Sequence, residues 1–184
     1  MKKILFFQWH SFMNEGIVRA LNKLAYAYDT FFYQFADWEK DDKFCELFRK
    51  KLKSQAYRCV FSVNYAPLLS NICEELGVLY ISWVYDSPIH IRNMSSMTNS
   101  CNQIYFFDRG QALLFEQQGV CAGHLPLAVD TELWQKKIEG NRLLQKTDVS
   151  MVGQLYQTQY QYFTAPLDPV SYTHLRAHET GRNL

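Results

Sequence analysis

The chain has 184 residues, 48% of them hydrophobic and 20% charged, with a formal net charge of +1. Enough apolar surface is present to offset chain entropy, which excludes extensive disorder, and so small a charge argues against the basic stripe of a nucleic-acid binder. Apolar runs such as residues 4–7 are far too short to span a bilayer, and the N-terminus lacks the long apolar segment and cleavage site of a signal peptide; a soluble, cytoplasmic protein is expected, at most peripherally attached to a membrane.

Residues 3–7 form an apolar run that ends in Gln-Trp-His-Ser, the pattern of a strand followed by a polar turn. Ile17, Ala20, Leu21 and Leu24 then recur at i, i+3, i+4 and i+7, one face of a helix, and Asn14 and Glu15 suit its first turn. The aromatic-rich stretch 28–35 reads as a second strand. Asp37, Asp41 and Asp42 are start signals for a helix with Phe44, Leu47, Phe48 and Leu52 on its apolar face and positive charge at its end. A third strand covers 59–63. Pro67 opens a helix carrying Leu69, Ile72, Cys73 and Leu76, with Gly77 as its stop. Strands at 78–84 and 103–107 follow, separated by a polar segment, 89–102, that reads as a long loop or a short irregular helix. A helix spans about 110–118 and stops at Gly119, and 124–129 reads as a short sixth strand. The stretch 130–147 reads as a polar connection anchored by Leu133 and Trp134.

Strands alternating with helices of this length predict an α/β fold, a Rossmann-like doubly wound parallel sheet. A first domain is expected over 1–147. A fresh apolar strand at 148–152 then reads as the start of a second domain, truncated at about residue 169. Residues 170–180, Val-Ser-Tyr-Thr-His-Leu-Arg-Ala-His-Glu-Thr, resemble a translated sequencing adapter, so 170–184 is set aside as an adapter-derived tail. His174 and His178, four apart, would otherwise invite a zinc reading. Leaving out 170–184 removes Arg176, Arg182 and Glu179 and brings the net charge to zero.

Five cysteines, at 45, 59, 73, 101 and 121, have no C-x-x-C spacing and an odd count. Without a secretion signal, reduced thiols are expected, and Cys45, Cys59 and Cys73, lying within helix- or strand-like patterns, read as buried filler.

In a doubly wound sheet, ligands bind beyond the carboxyl ends of the strands. The first such loop carries His10, which is either a general base or an exposed turn histidine. Gly16 stands alone there, with neither G-x-G-x-x-G nor G-x-x-x-x-G-K-[ST], so no nucleotide fingerprint is present. The fourth strand runs out into Trp83-Val84-Tyr85-Asp86-Ser87-Pro88. Its aromatic rings offer faces on which a sugar can stack, and Asp86 can accept hydroxyl hydrogens; alternatively the aromatics are core and Asp86 a cap. The fifth strand ends in Phe106-Phe107-Asp108, where Asp108 is a helix cap or lines the same crevice. The sixth ends in Leu125-Pro126-Leu127-Ala128-Val129-Asp130. Acidic strand ends with this spacing define no shared metal geometry, so no metal is expected.

Those segments, with Val149-Ser150-Met151-Val152-Gly153-Gln154-Leu155-Tyr156, stand in the order and spacing that resemble the N-terminal part of bacterial CgeB-like, spore-maturation type glycosyltransferases. The stretch Leu125–Asp130 is similar to the interdomain Leu-Pro-x-x-Val-Asp of many GT-B enzymes. The resemblance implies two Rossmann-like domains facing across a cleft, with acceptor on the N-terminal side and a nucleotide-linked sugar, as co-substrate rather than bound cofactor, on the C-terminal side. It implies a glycan or protein acceptor, a missing donor domain in cis, and a truncated chain inactive alone. Asp86 or His10 would be the catalytic base, and Trp83, Tyr85, Ser87, Asp108, Asp130, Gly153 and Gln154 would contact substrate. The alternative reading is a non-catalytic Rossmann-like ligand-binding or scaffold module. A response-regulator site is disfavoured because the first loop lacks paired acids, and a periplasmic module because no signal peptide is present.

Overall fold

The computed structural model describes residues 2–87, 89 and 91–140, with the side chains of 136–140 left aside. The chain divides into two compact units, 1–135 and 136–184. The strand expected at 148–152, Gly153, Gln154 and the segment 170–184 lie outside the described residues.

The elements are β1 (Lys3–Gln8), α1 (Asn14–Lys23), β2 (Tyr28–Phe32), α2 (Asp42–Lys53), β3 (Tyr57–Val63), α3 (Pro67–Leu76), β4 (Tyr80–Val84), a 3-10 turn (Ser95–Thr98), β5 (Asn102–Phe106), α4 (Arg109–Gln117), β6 (Ala122–His124) and α5 (Thr131–Gly140). The six strands form one sheet in the order β2-β1-β3-β4-β5-β6, and every pairing is parallel. This is the doubly wound Rossmann-like architecture the alternation predicts.

The order also assigns the faces. The step from β1 to β2 runs one way along the sheet, and every later step runs the other way. Right-handed crossovers therefore place α1 on one face and α2, α3 and α4 on the opposite face. Side chains alternate along each strand. Leu5, Phe7, Val60, Tyr80, Val84, Ile104 and Phe106 join the α2 face, in one cluster with Phe44, Phe48, Leu69, Ile72, Met97 and Phe115. Phe7 meets Phe44 edge-on at 5.8 Å, and Phe106 stacks on Phe115 at 4.9 Å. On the α1 face, Phe6 meets Phe61 at 5.6 Å, while α1 itself buries none of its residues.

Between β4 and β5 a buried polar network takes the place of a crossover helix. Asn102 Nδ2 donates to the carbonyls of Ser96 (2.8 Å) and Met97 (3.0 Å), and Ser70 Oγ donates to Asn102 Oδ1 at 2.8 Å. Tyr65 reaches Ser96 Oγ at 2.8 Å. The Asn102 amide and the Ser70 and Tyr65 hydroxyls all find acceptors, and such pairing is the condition for a buried network to stabilise rather than weaken a core.

Several boundaries differ from the sequence reading, each for a local reason. β2 ends at Phe32 because its partner β1 ends at Gln8; Phe35 then turns into the core. β4 begins at Tyr80 because Val78 belongs to the end of α3. There, Gly77 is left-handed (φ 63°) and donates to Glu74 O, while Val78 N–H donates to Cys73 O, a Schellman closure. The sixth strand is Ala122–His124 rather than 124–129, since β5 offers pairing only as far as Phe106. The expected connection at 130–147 begins as α5, with Asp130 accepting from Leu133 N at 3.1 Å. Asn14 is not a cap: its side chain donates to Trp9 O at 2.7 Å.

Candidate functional site

The carboxyl ends of β1, β3 and β4 meet where the order of connections reverses, the place at which open α/β sheets bind ligands. The residue that organises this corner is Asn64, immediately after β3. Its φ is 60°, a left-handed value that asparagine tolerates better than most residues. Its N–H donates to Trp83 O at 2.9 Å. Its Oδ1 accepts from Tyr85 N at 3.0 Å, and its Nδ2 donates to Asp86 Oδ2 at 2.7 Å. One side chain thus bridges the ends of two neighbouring strands. Sequence reasoning missed it; an asparagine closing a strand just before a Pro-initiated helix was the available signal.

Beside it, the Tyr85 ring packs on Phe12 at 5.3 Å. Burial, opposed by a hydrogen bond with Ser11, raises the Tyr85 hydroxyl above its ordinary value. Trp9 closes the corner from below, its Nε1 donating to Val63 O at 2.9 Å and its ring meeting Trp38 edge-on at 5.1 Å.

Of the residues singled out from sequence, Tyr85 and Asp86 come together here. His10 does not join them. Its backbone N–H donates to Gln34 Oε1 at 3.1 Å and its ring meets Phe32 at 5.2 Å, so it faces the β2 side. Trp83 is only 7% exposed. Its Nε1 donates to Leu125 O at 3.1 Å, and in register with Val63 and Tyr105 it points to the α1 face rather than out of the strand end. Among the aromatics at this corner, Tyr85 and Trp9 are partly exposed and Phe12 is 80% exposed.

Ser87 Oγ accepts from Gln111 Nε2, and the same side chain's Oε1 accepts from Ile89 N at 3.3 Å, so the first turn of α4 holds the loop after β4. Asp108 is the N-cap of α4, accepting from Gln111 N at 2.8 Å. Asp130 caps α5 and pairs with Arg19 Nε at 2.7 Å. The backbone N–H of Leu133 first, and then Arg19, hold its carboxyl below the usual range. Around that pair runs an apolar groove of about 910 Å³, lined by Phe12, Ile17, Ala20, Trp83, Val129 and Trp134.

Among the described residues, no group of three or more His, Cys, Asp or Glu is placed to hold a metal ion, and no helix is long and apolar enough to cross a membrane. All five cysteines are free thiols. Burial pushes Cys101 up to about 12 and Cys73 higher still, so these are packing residues rather than nucleophiles. Compared with known proteins, the chain matches no family model, no curated protein and no solved structure.

Proposed function

We propose that this chain is the acceptor-side domain of a GT-B-type glycosyltransferase, in keeping with the CgeB-like segments of its sequence, and that the acceptor docks at the carboxyl ends of β1, β3 and β4. One observation carries the reading: the Asp86 carboxylate, held by Asn64, lies at the same strand end as the Tyr85–Phe12 pair. A sugar ring needs an apolar surface under its C–H groups and an acceptor for its hydroxyls. On this reading the acceptor hydroxyl donates to Asp86, which takes its proton as the oxygen attacks the anomeric carbon of the donor sugar. The nucleotide-linked donor and its leaving diphosphate belong to a second domain in cis. The acceptor is a glycan or protein of the envelope, spore coat or another surface, met from the cytoplasm.

Saturation-transfer NMR with a panel of methyl glycosides tests this directly. Binding by the wild-type chain, lost in Asp86→Ala and Tyr85→Ala, is the expected result. The chain extended by its downstream reading frame should transfer sugar from, or hydrolyse, at least one nucleotide sugar. Absence of glycoside binding together with absence of transfer and hydrolysis overturns the reading. The direction of His10 leaves the corner with Asp86 as its candidate base; glycoside binding without transfer or hydrolysis in the extended chain would select a non-catalytic ligand-binding module instead.

A further inference from the structure

We propose that Asn64 is the positioning residue of this site, its side-chain amide fixing the Asp86 carboxylate for the acceptor hydroxyl; this rests on the acceptor-site reading above. Two non-glycine residues among those described have positive φ, Ala25 (54°) and Asn64 (60°). Ala25 ends an exposed helix and has no side-chain partners to hold. Asn64 is 8% exposed and uses both ends of its amide. Strained backbone concentrates where a side chain has to be aimed, and the inference properly runs from the outlier to the role.

The residue type follows from the geometry. The position needs an acceptor for Tyr85 N and, from the same group, a donor for Asp86 Oδ2. Asparagine supplies both at that reach. Glycine would satisfy the backbone at no steric cost but would hold neither partner. Aspartate would keep the acceptor and the shape, and would set a like charge against Asp86. A carboxylate has room for several hydrogen-bond donors, so the bond from Asn64 can orient Asp86 and is compatible with its accepting from a hydroxyl. Asp86 is not in the strand proper, since β4 ends at Val84. Its direction is therefore set by what grips it rather than by sheet pairing.

A mere turn role and a positioning role give different results in a double-mutant cycle. Affinities for the methyl glycosides are measured for wild type, Asn64→Gly, Asp86→Asn and the double variant, with thermal melting alongside. Positioning predicts that Asn64→Gly weakens binding at least tenfold in the wild-type background and less than twofold in the Asp86→Asn background. It also predicts that Asn64→Asp fails to restore binding although it preserves the bond to Tyr85 N. Wild-type affinity in Asn64→Gly, or equal losses in both backgrounds, overturns the proposal and leaves the acceptor-site reading standing. A wild-type chain that binds no methyl glycoside, and that when extended neither transfers nor hydrolyses a nucleotide sugar, overturns that reading and the acceptor-directed role with it. The carboxyl-carbon resonance of Asp86 provides a sugar-independent check. It should move in both Asn64 variants, and a resonance unchanged from wild type shows that the amide does not hold the carboxylate. If Asn64→Gly fails to give a folded spectrum, the isosteric Asn64→Asp decides by the same two readouts.

Discussion

On the α2 face of the sheet, Leu5, Phe7, Val60, Tyr80, Ile104 and Phe106 lie under helices α2, α3 and α4 and are almost wholly removed from water. On the α1 face, Phe6, Val63 and Trp83 are buried too, but Ile4, Phe61, Ile81, Gln103 and Tyr105 keep part of their surface, and helix α1 buries no residue of its own. The same strands supply both faces, residue by residue in alternation. What differs is how many crossovers land on each. One step of the chain, from β1 to β2, runs against the rest and carries α1; all later steps deliver their helices to the other face. Stability and site are distributed accordingly. The core is concentrated on one side, and the candidate site lies at the strand ends where the two directions part.

Substitutions matched across the faces put this asymmetry at risk. Phe7→Ala removes a fully buried ring that touches Phe31, Phe35, Phe44 and Phe48, and should cost about 3–5 kcal/mol in denaturant unfolding. Phe61→Ala on the opposite face, only partly buried, should cost about 1 kcal/mol, in proportion to its smaller burial; equal losses would end the asymmetry.

Tyr80→Phe probes the polar part of the packed face. The Tyr80 hydroxyl accepts from Ala66 N at 3.0 Å and shares a hydrogen with Ser62 Oγ at 2.7 Å. Its loss leaves the buried Ala66 N–H without its partner, while Ser62 Oγ keeps its bond to Asn64 O, and should cost about 1–3 kcal/mol, read by the same unfolding curves. A smaller effect appears in acid at the β2 edge. Asp29 is held down to about 2 by the hydrogen bond from Lys3 first and then by Tyr57. Because its folded value is below its unfolded one, the stabilisation is fully present above about pH 4 and is lost as pH falls from there toward 2. Asp29→Asn should flatten that part of the stability–pH curve; an unchanged slope between pH 4 and 2 would refute the assignment. The smallest effect is expected on α1. Leu24 is 66% exposed, so Leu24→Ser should change stability by no more than about 0.5 kcal/mol, and a loss as large as that of Phe61→Ala would show α1 to be packed more tightly than its burial implies.

Much of the fold was legible because it is written locally. The helix face Phe44, Phe48 and Leu52, the Pro67 start and the Gly77 stop all lie where their spacing places them. The same locality explains the misses. The sixth strand was displaced because its end is set by the length of β5, a partner remote in sequence. The α5 start at Asp130 was passed over because Leu133 and Trp134 are adjacent and so do not mark one helix face. At the site, Tyr85 and Asp86 were visible as an aromatic and acidic strand end. Their clamp was not, since Asn64 precedes Asp86 by 22 residues and follows the end of another strand.

The sequence by itself determined the succession of elements and the parallel sheet, because hydrophobic periodicity and caps act within a few residues. Only the tertiary structure decided the strand order, the inequality of the two faces and the meeting of Asn64 with Asp86. Those depend on which strands become neighbours, and that is settled by the packing of the whole sheet rather than by any segment alone.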